Sequence, residues 1–483
     1  MRMAALMALL LVLPAGLGAA PPSAGGVGSG EHGWRLLFSS LKDVTGIWGA
    51  PQVCVSPVRL IRQCGPAGFT PIAALPLADG AWELFGQVTT QVSQGAEPWQ
   101  QITRWRLVRT ITRDGVAFDP PQTLFEPAAA AWTDHAALAR NPETGEYLLL
   151  KLKVDSAGFA YTAFFSPDGR QWREHPGNPL FYDGDSMSLF WSPVLRRFVC
   201  TNKSLQPFRK RTVDHGGPTP ALHDDTLRDR RVLMTRSSAD GRTWKPGVSL
   251  ADVWNRNGAK APIPDRYLTL PDAGDPPDLE FYSGSGFWYH DRAYMLVLNY
   301  AASPLMPGKH GPHLDNEWWT SRDGLRWERP ARGVNALEPF PGLPRIETPP
   351  MVAGGQILFR RGDLLLGLPR DRITGISSRS NAEFTTSAFR MPAEGLALNA
   401  AIPSPDRAFA REQAYVMVAA LDEAGHVIPG CEASACVLRE RDGVEIPLGW
   451  TGVSARALAG RTVRLRFAIR SAAVYALTAC PRR

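Results

Sequence analysis

One short phrase occurs four times in this chain: Thr112-Arg113-Asp114-Gly115-Val116-Ala117-Phe118, Ser166-Pro167-Asp168-Gly169-Arg170-Gln171-Trp172, Ser238-Ala239-Asp240-Gly241-Arg242-Thr243-Trp244 and Ser321-Arg322-Asp323-Gly324-Leu325-Arg326-Trp327. The shared form is Ser/Thr-x-Asp-Gly-x-x-aromatic. Asp-Gly supplies the positive-φ turn between antiparallel strands, and the aromatic that follows packs between sheets. Successive glycines lie 54, 72 and 83 residues apart, room for one four-stranded blade and its loops in each interval. Alternating runs precede the phrase, as in Ala160-Tyr161-Thr162-Ala163-Phe164-Phe165 and Val232-Leu233-Met234-Thr235-Arg236-Ser237. Their period of two marks half-buried strands, and helical periodicity is almost nowhere sustained.

The stretch from Phe69 to Phe118 reads as a first blade. A fifth unit, lacking the Asp-Gly turn, is expected from Glu347 through Leu364-Leu365-Leu366 to Ile376-Ser377-Ser378-Arg379. The expected fold is therefore all-β: a five-bladed β-propeller over residues 34–382. After residue 382 the phrase disappears. Tyr415 to Leu421 is an apolar run, and Arg464-Leu465-Arg466-Phe467-Ala468-Ile469-Arg470 alternates without a fault. Short strands between turns over about 100 residues predict a C-terminal β-sandwich across 383–483.

The first twenty residues have the form of a signal peptide: Arg2, an apolar run from Ala4 to Leu13, then Pro14 and small residues. Residues 21–33 read as a flexible leader. The apolar run is too short to span a bilayer permanently, so the expectation is a secreted or periplasmic protein with no stable membrane insertion. Among the six cysteines, closeness in sequence favours Cys54 with Cys64 and Cys431 with Cys436, leaving Cys200 a buried thiol. Paired C-x-x-C spacing is absent, so no structural metal is expected, and no cofactor is expected either. The formal charge of +7 is scattered over the chain rather than gathered into a stripe, which speaks against nucleic acid as a partner.

In a propeller the innermost strand of each blade lines the axis, and residues at its entrance converge. Three carboxylates fall at such entrances: Asp134 in Trp132-Thr133-Asp134-His135, Asp185 in Asp183-Gly184-Asp185-Ser186, and Glu280 in Asp278-Leu279-Glu280-Phe281-Tyr282. Acids meeting beside aromatics suit glycosidic cleavage, one protonating the leaving oxygen and another activating water or attacking carbon. Trp132, His135, Asp183, Lys203, Arg231, Asp278 and Glu347 are candidate substrate-binding residues. Each has a plainer reading, as a turn cap, a packed wall residue or a solvated charge.

The region of roughly 100–380 resembles the five-bladed propeller superfamily of glycoside hydrolase families 32 and 43. In that superfamily Asp, Asp and Glu from three consecutive blades serve as base or nucleophile, transition-state stabiliser and general acid. The resemblance implies those roles for Asp134, Asp185 and Glu280, with a poly- or oligosaccharide as substrate. The family 32 signatures themselves are replaced by Trp132-Thr133-Asp134-His135, Gly184-Asp185-Ser186 and Leu279-Glu280-Phe281. A non-catalytic glycan-binding propeller is the alternative. The repeated phrase is also similar to the sialidase Asp-box, but three convergent arginines with a Tyr nucleophile cannot be assembled from this sequence.

Overall fold

A computed structural model describes residues 34–64, 68–95, 100–156, 158–207, 229–246, 267–276, 279–301, 314–337, 349–404 and 413–480. Antiparallel sheets dominate it. Sheet I comprises Thr70–Pro76, Trp82–Ser93, Ile102–Thr112 and Gln122–Phe125. Sheet II comprises Trp132–Arg140, Tyr147–Asp155, Gly158–Ser166 and Arg173–Glu174, with Phe181–Asp183 also on its third strand. Met187–Ser192, Arg197–Pro207, Asp229–Ser238 and Leu268–Thr269 form sheet III, and Leu279–Tyr289, Arg292–Ala301 and Leu314–Ser321 form sheet IV. Sheet V takes Met351–Ala353, Gln356–Arg361 and Leu364–Pro369 from one part of the chain and its outermost strand, Arg59–Gln63, from another.

Five apolar seams close these sheets into a ring. Phe85, Trp105 and Leu107 of sheet I pack on Leu149 and Phe164 of sheet II. Leu150 and Tyr161 of sheet II meet Leu189 and Trp191 of sheet III. Leu233 of sheet III meets Phe281 and Trp319 of sheet IV. Phe287 and Trp318 of sheet IV meet Ile357 and Phe359 of sheet V. Met351, Leu358 and Leu365 of sheet V return to Ala74 and Leu84 of sheet I. A ring in which every sheet is buried on both faces is the propeller solution to the edge problem of antiparallel sheets.

The repeated phrase drives this packing. In each copy the aspartate Oδ1 accepts hydrogen bonds from the backbone N–H groups two and three residues on, as Asp240 does from Arg242 and Thr243 at 2.8 Å. The glycine takes a positive φ, +73° at Gly115 and Gly169, +70° at Gly241 and +88° at Gly324. The aromatic then drops into the seam with the preceding sheet: Phe118 between V and I, Trp172 between I and II, Trp244 between II and III, and Trp327 between III and IV.

The sandwich draws on both ends of the described chain, which corrects the single expected cut at residue 382. One of its sheets runs Gln52–Val55, Thr374–Ser378, Ala472–Ala479, Leu396–Ile402 and Arg441–Pro447, with Arg35–Leu37 also on Ala472–Ala479. The other runs Val44–Gly49, Ala382–Thr386, Thr462–Arg470, Tyr415–Leu421 and Val437–Leu438, with Phe389–Arg390 also on Thr462–Arg470. Ile376-Ser377-Ser378 thus belongs to the sandwich and not to a fifth blade, and Arg35 to Val55 is no part of the propeller. The alternation read in Arg464–Arg470 holds, since Val463, Leu465, Phe467 and Ile469 are all fully buried.

The sandwich seats on sheets IV and V. Leu37 and Ala476 join the seam between those sheets. Buried Asp371 accepts hydrogen bonds from Arg35 Nη1 at 3.1 Å and from Tyr289 Oη at 2.6 Å. Asp43 pairs with Arg292 at 2.9 Å and with Arg322. All six cysteines are thiols. Cys54 lies in a sandwich strand opposite Gly375, whereas Cys64 follows the outer strand of sheet V, so the expected bridge between them does not form. Cys431 and Cys436 sit unbridged in the sandwich core. Cys200 is buried in the seam between sheets II and III, and burial pushes its thiol up to about 12. Residues 1–33, and with them the expected signal peptide and leader, lie outside the described residues. Among the described residues no helix is long and apolar enough to cross a membrane.

Candidate functional site at the polar end of the axis

The two ends of the propeller axis differ. The late ends of the inner strands meet around one cavity of about 210 Å³, lined by Pro76, Leu138, Phe190, Trp191, Trp288 and Val352 among others. That end is apolar. The early ends, where Asp134, Asp185 and Glu280 lie, are therefore at the opposite end of the axis.

Three inner strands are irregular there, with register shifts between Pro71 and Ala73 in sheet I, between Trp132 and Ala136 in sheet II, and between Phe281 and Ser283 in sheet IV. Bulges bend a strand and re-aim side chains, and they concentrate at sites where that matters. In sheet IV the extra residue is Tyr282, whose carbonyl accepts a hydrogen bond at 3.3 Å from Oγ of Ser186, the residue just before sheet III.

Tyr282 is the centre of a network joining two of the expected acids. Asp185 forms an ion pair with Lys203, and the Lys203 ammonium lies 4.5 Å from the centre of the Tyr282 ring. The Arg231 guanidinium lies 5.6 Å from the Tyr282 ring and 5.4 Å from the Tyr300 ring, and donates to Glu280 Oε2 at 2.5 Å. Cations over aromatic faces are stabilised when desolvated, and here each is also neutralised by a carboxylate. The Lys203 strand is gripped by its neighbour, with Gly184 N donating to Lys203 O and Lys203 N to Ser186 O, both at 3.1 Å. A Cβ at Gly184 would stand 2.3 Å from the Lys203 carbonyl oxygen, so only glycine lets the loop carrying Asp185 approach this closely.

The acids are not equally accessible. The Asp134 side chain is 75% exposed, Asp185 27% and Glu280 0%. Asp134 stands on sheet II with its Oδ1 3.4 Å from His135 Nε2. His135, mostly buried, is a wall residue beside it, its N–H donating to Thr133 Oγ1 at 3.1 Å.

Two candidates have structural roles instead. Asp183 is fully buried and receives Arg236 Nη2 at 2.6 Å, with both partners at 0% exposure in the seam between sheets II and III. Trp132 is packed against Trp105 and Phe164, its indole N–H donating to the Ala128 carbonyl at 3.0 Å. Neither can touch a ligand as placed, because a side chain at the opening of a strand that is buried on both faces points into a seam as readily as toward the axis. Asp278 and Glu347 lie outside the described residues. Tyr282, Lys151 and Gln87 carry much of the geometry and were not singled out from sequence. Only an apolar-flanked lysine in Leu150-Lys151-Leu152 offered a signal.

No family model matches the chain, and no curated protein matches it in sequence. Solved structures do. The chain is similar to a glycosyl hydrolase from Bacteroides ovatus, with TM-score 0.41 and 11% identity over 66% of this chain and 96% of that one. It is similar to a thermostable family-43 glycoside hydrolase, with TM-score 0.37 and 10% identity over 68% of this chain and 86% of that one. A protein of unknown function from Dyadobacter fermentans is also similar, with TM-score 0.36 and 11% identity over 70% and 96%.

Proposed function

We propose that this is an exported, glycoside hydrolase-like protein whose polar axis end takes a poly- or oligosaccharide. The observation that carries the reading is the Asp185–Lys203–Tyr282–Arg231–Glu280 network at the same end of the axis as the water-reachable Asp134. Carboxylates, cations and a half-buried tyrosine at one end of an axis offer hydrogen-bond partners for hydroxyls and a face for a sugar ring. Asp134 suits the base or nucleophile, because its carboxylate can meet both water and an anomeric carbon. Asp185, held by Lys203, suits a carboxylate that stabilises developing positive charge.

Glu280 is the residue that favours the second reading, a non-catalytic glycan-binding propeller. A general acid must come within hydrogen-bond reach of the leaving oxygen, and Glu280 is fully buried against Arg231. The test is a screen of the protein against fructans, arabinans, xylans and galactans, read both for reducing ends and for binding. On a cleaved substrate, Asp134→Asn and Asp185→Asn are expected to lower turnover about 10²–10⁴-fold. Glu280→Gln with unchanged turnover removes Glu280 from the acid's role. Binding without cleavage of any glycan selects the second reading, and neither binding nor cleavage overturns both.

A further inference from the structure

The inner strand of sheet II departs from its ladder where Asp134 lies. Lys151 stands opposite Ala136 and Lys153 opposite Trp132, so Thr133, Asp134 and His135 together face the single residue Leu152. Such a bulge takes carbonyls out of the ladder, and a buried carbonyl needs another donor. Both find one outside the strand. The Thr133 carbonyl accepts from Lys151 Nζ at 2.5 Å, and the Asp134 carbonyl accepts from the side-chain amide of Gln87 on sheet I. The same ammonium donates to Gln87 Oε1 at 2.5 Å, which turns the amide so that its NH₂ faces Asp134.

Lys151 is fully buried and Gln87 nearly so. An ammonium in an apolar seam is costly, and methionine or leucine would fill the space at no such cost. The strain on the charge is evident: burial pulls the Lys151 ammonium down to about 7 although the Asp134 carboxylate favours its protonation. The pair is therefore unlike a packing solution. Its polar atoms are spent on the two carbonyls that the bulge sets loose.

We infer that Lys151 and Gln87 are positioning residues that hold this bulge open, so that the Asp134 carboxylate is presented at the polar end of the axis. Without them the strand gains by returning to regular pairing, which draws the two extra residues of the bulge into the ladder and takes Asp134 from its present place. The inference deepens the carbohydrate reading and rests on it for the importance of Asp134, but the brace itself can be measured separately.

The experiment uses the full chain with Lys151→Met, Gln87→Met, Asp134→Asn and the Lys151→Met/Asp134→Asn double variant. Carbodiimide labelling of Asp134 and hydrogen exchange at residues 133–136 report the bulge without any ligand. Binding or cleavage of arabinan and xylan oligosaccharides reports the site. Lys151→Met is expected to slow Asp134 labelling and to weaken the oligosaccharide readout about 10- to 100-fold. It should add nothing in the Asp134→Asn background, where a merely structural role would cost as much again. Unchanged labelling and exchange in a folded Lys151→Met protein overturns the inference. If labelling changes while Asp134→Asn leaves every oligosaccharide readout untouched, the brace stands and the carbohydrate reading falls. Should Lys151→Met fail to fold, Gln87→Met removes only the donor to the Asp134 carbonyl and carries the same test.

Discussion

Asp183→Asn should destabilise the propeller and leave the polar axis end intact. Asp183 and Arg236 are both at 0% exposure and meet at 2.6 Å. The second Asp183 oxygen accepts from Gly184 N at 2.9 Å, and the Arg236 guanidinium lies 4.4 Å from the centre of the Phe181 ring. Asparagine keeps the shape but removes the charge, leaving a guanidinium in an apolar seam with Tyr161 and Trp244. Breaking a buried pair from one side costs about 3–5 kcal/mol, or about two to three and a half powers of ten in the folding equilibrium. Asparagine belongs at the low end of that range and Asp183→Ala at the high end. Urea unfolding followed by tryptophan fluorescence reads it, since Trp172, Trp191 and Trp244 sit in the seams around sheet II. The double replacement Asp183→Leu/Arg236→Met should recover most of the loss. A wild-type midpoint for Asp183→Asn, or lost glycan binding at wild-type stability, would refute the structural assignment and return Asp183 to the substrate.

Gly241→Ala is expected to cost about 2–4 kcal/mol, by adding a left-handed backbone penalty to overpacking. Its φ is +70°, and a Cβ there would meet Leu148 at 2.9 Å and Phe165 at 3.0 Å. Gly80→Ala, with φ +78° and nothing within 4 Å, is the control and should lose only the backbone part in the same denaturation assay. At the junction with the sandwich, burial pushes the Asp371 carboxyl up, but the His290 hydrogen bond and the Arg35 charge outweigh it and hold the group at about 2. A carboxylate lowered from 3.8 stabilises the fold above that value and loses the contribution as pH falls toward 2. Acid unfolding of Asp371→Asn, compared with wild type, should therefore begin from a lower stability at neutral pH and show a shallower decline between about pH 4 and 2.

What could be read from sequence was what is local. The Asp-Gly phrase works through bonds within three residues and a single backbone angle, so it marks its turns wherever the chain goes. The alternation of Arg464–Arg470 likewise reports one buried face irrespective of its partner. Partner choice is not local. Nothing in Arg35–Leu37 or Val44–Gly49 reveals that their ladders are completed by residues more than 300 positions away, and Ile376-Ser377-Ser378 alternates equally well for a blade or a sandwich. For the candidate site, too, only what is local could be read. Strand entrances named Asp134, Asp185 and Glu280, but whether a carboxylate meets water or an arginine depends on the neighbouring sheet. Arg231 hides Glu280, Arg236 hides Asp183, and the bulge that exposes Asp134 needs Lys151 and Gln87 from two different sheets.

The outer strand of sheet V and three strands of the sandwich come from the first 63 residues, while their partners come after residue 350. Sheets I to IV can assemble in the order of synthesis, but ring closure must wait until the chain has been made as far as Leu364–Pro369. The two ends then act as a clasp. The propeller strands run without interruption from Arg59 to Pro369, but the sandwich cannot be cut out as one continuous segment, and a shortened product ending before residue 364 would leave a bare strand edge on sheet V. Such edges recruit other chains. Completeness of the polypeptide is thereby coupled to solubility.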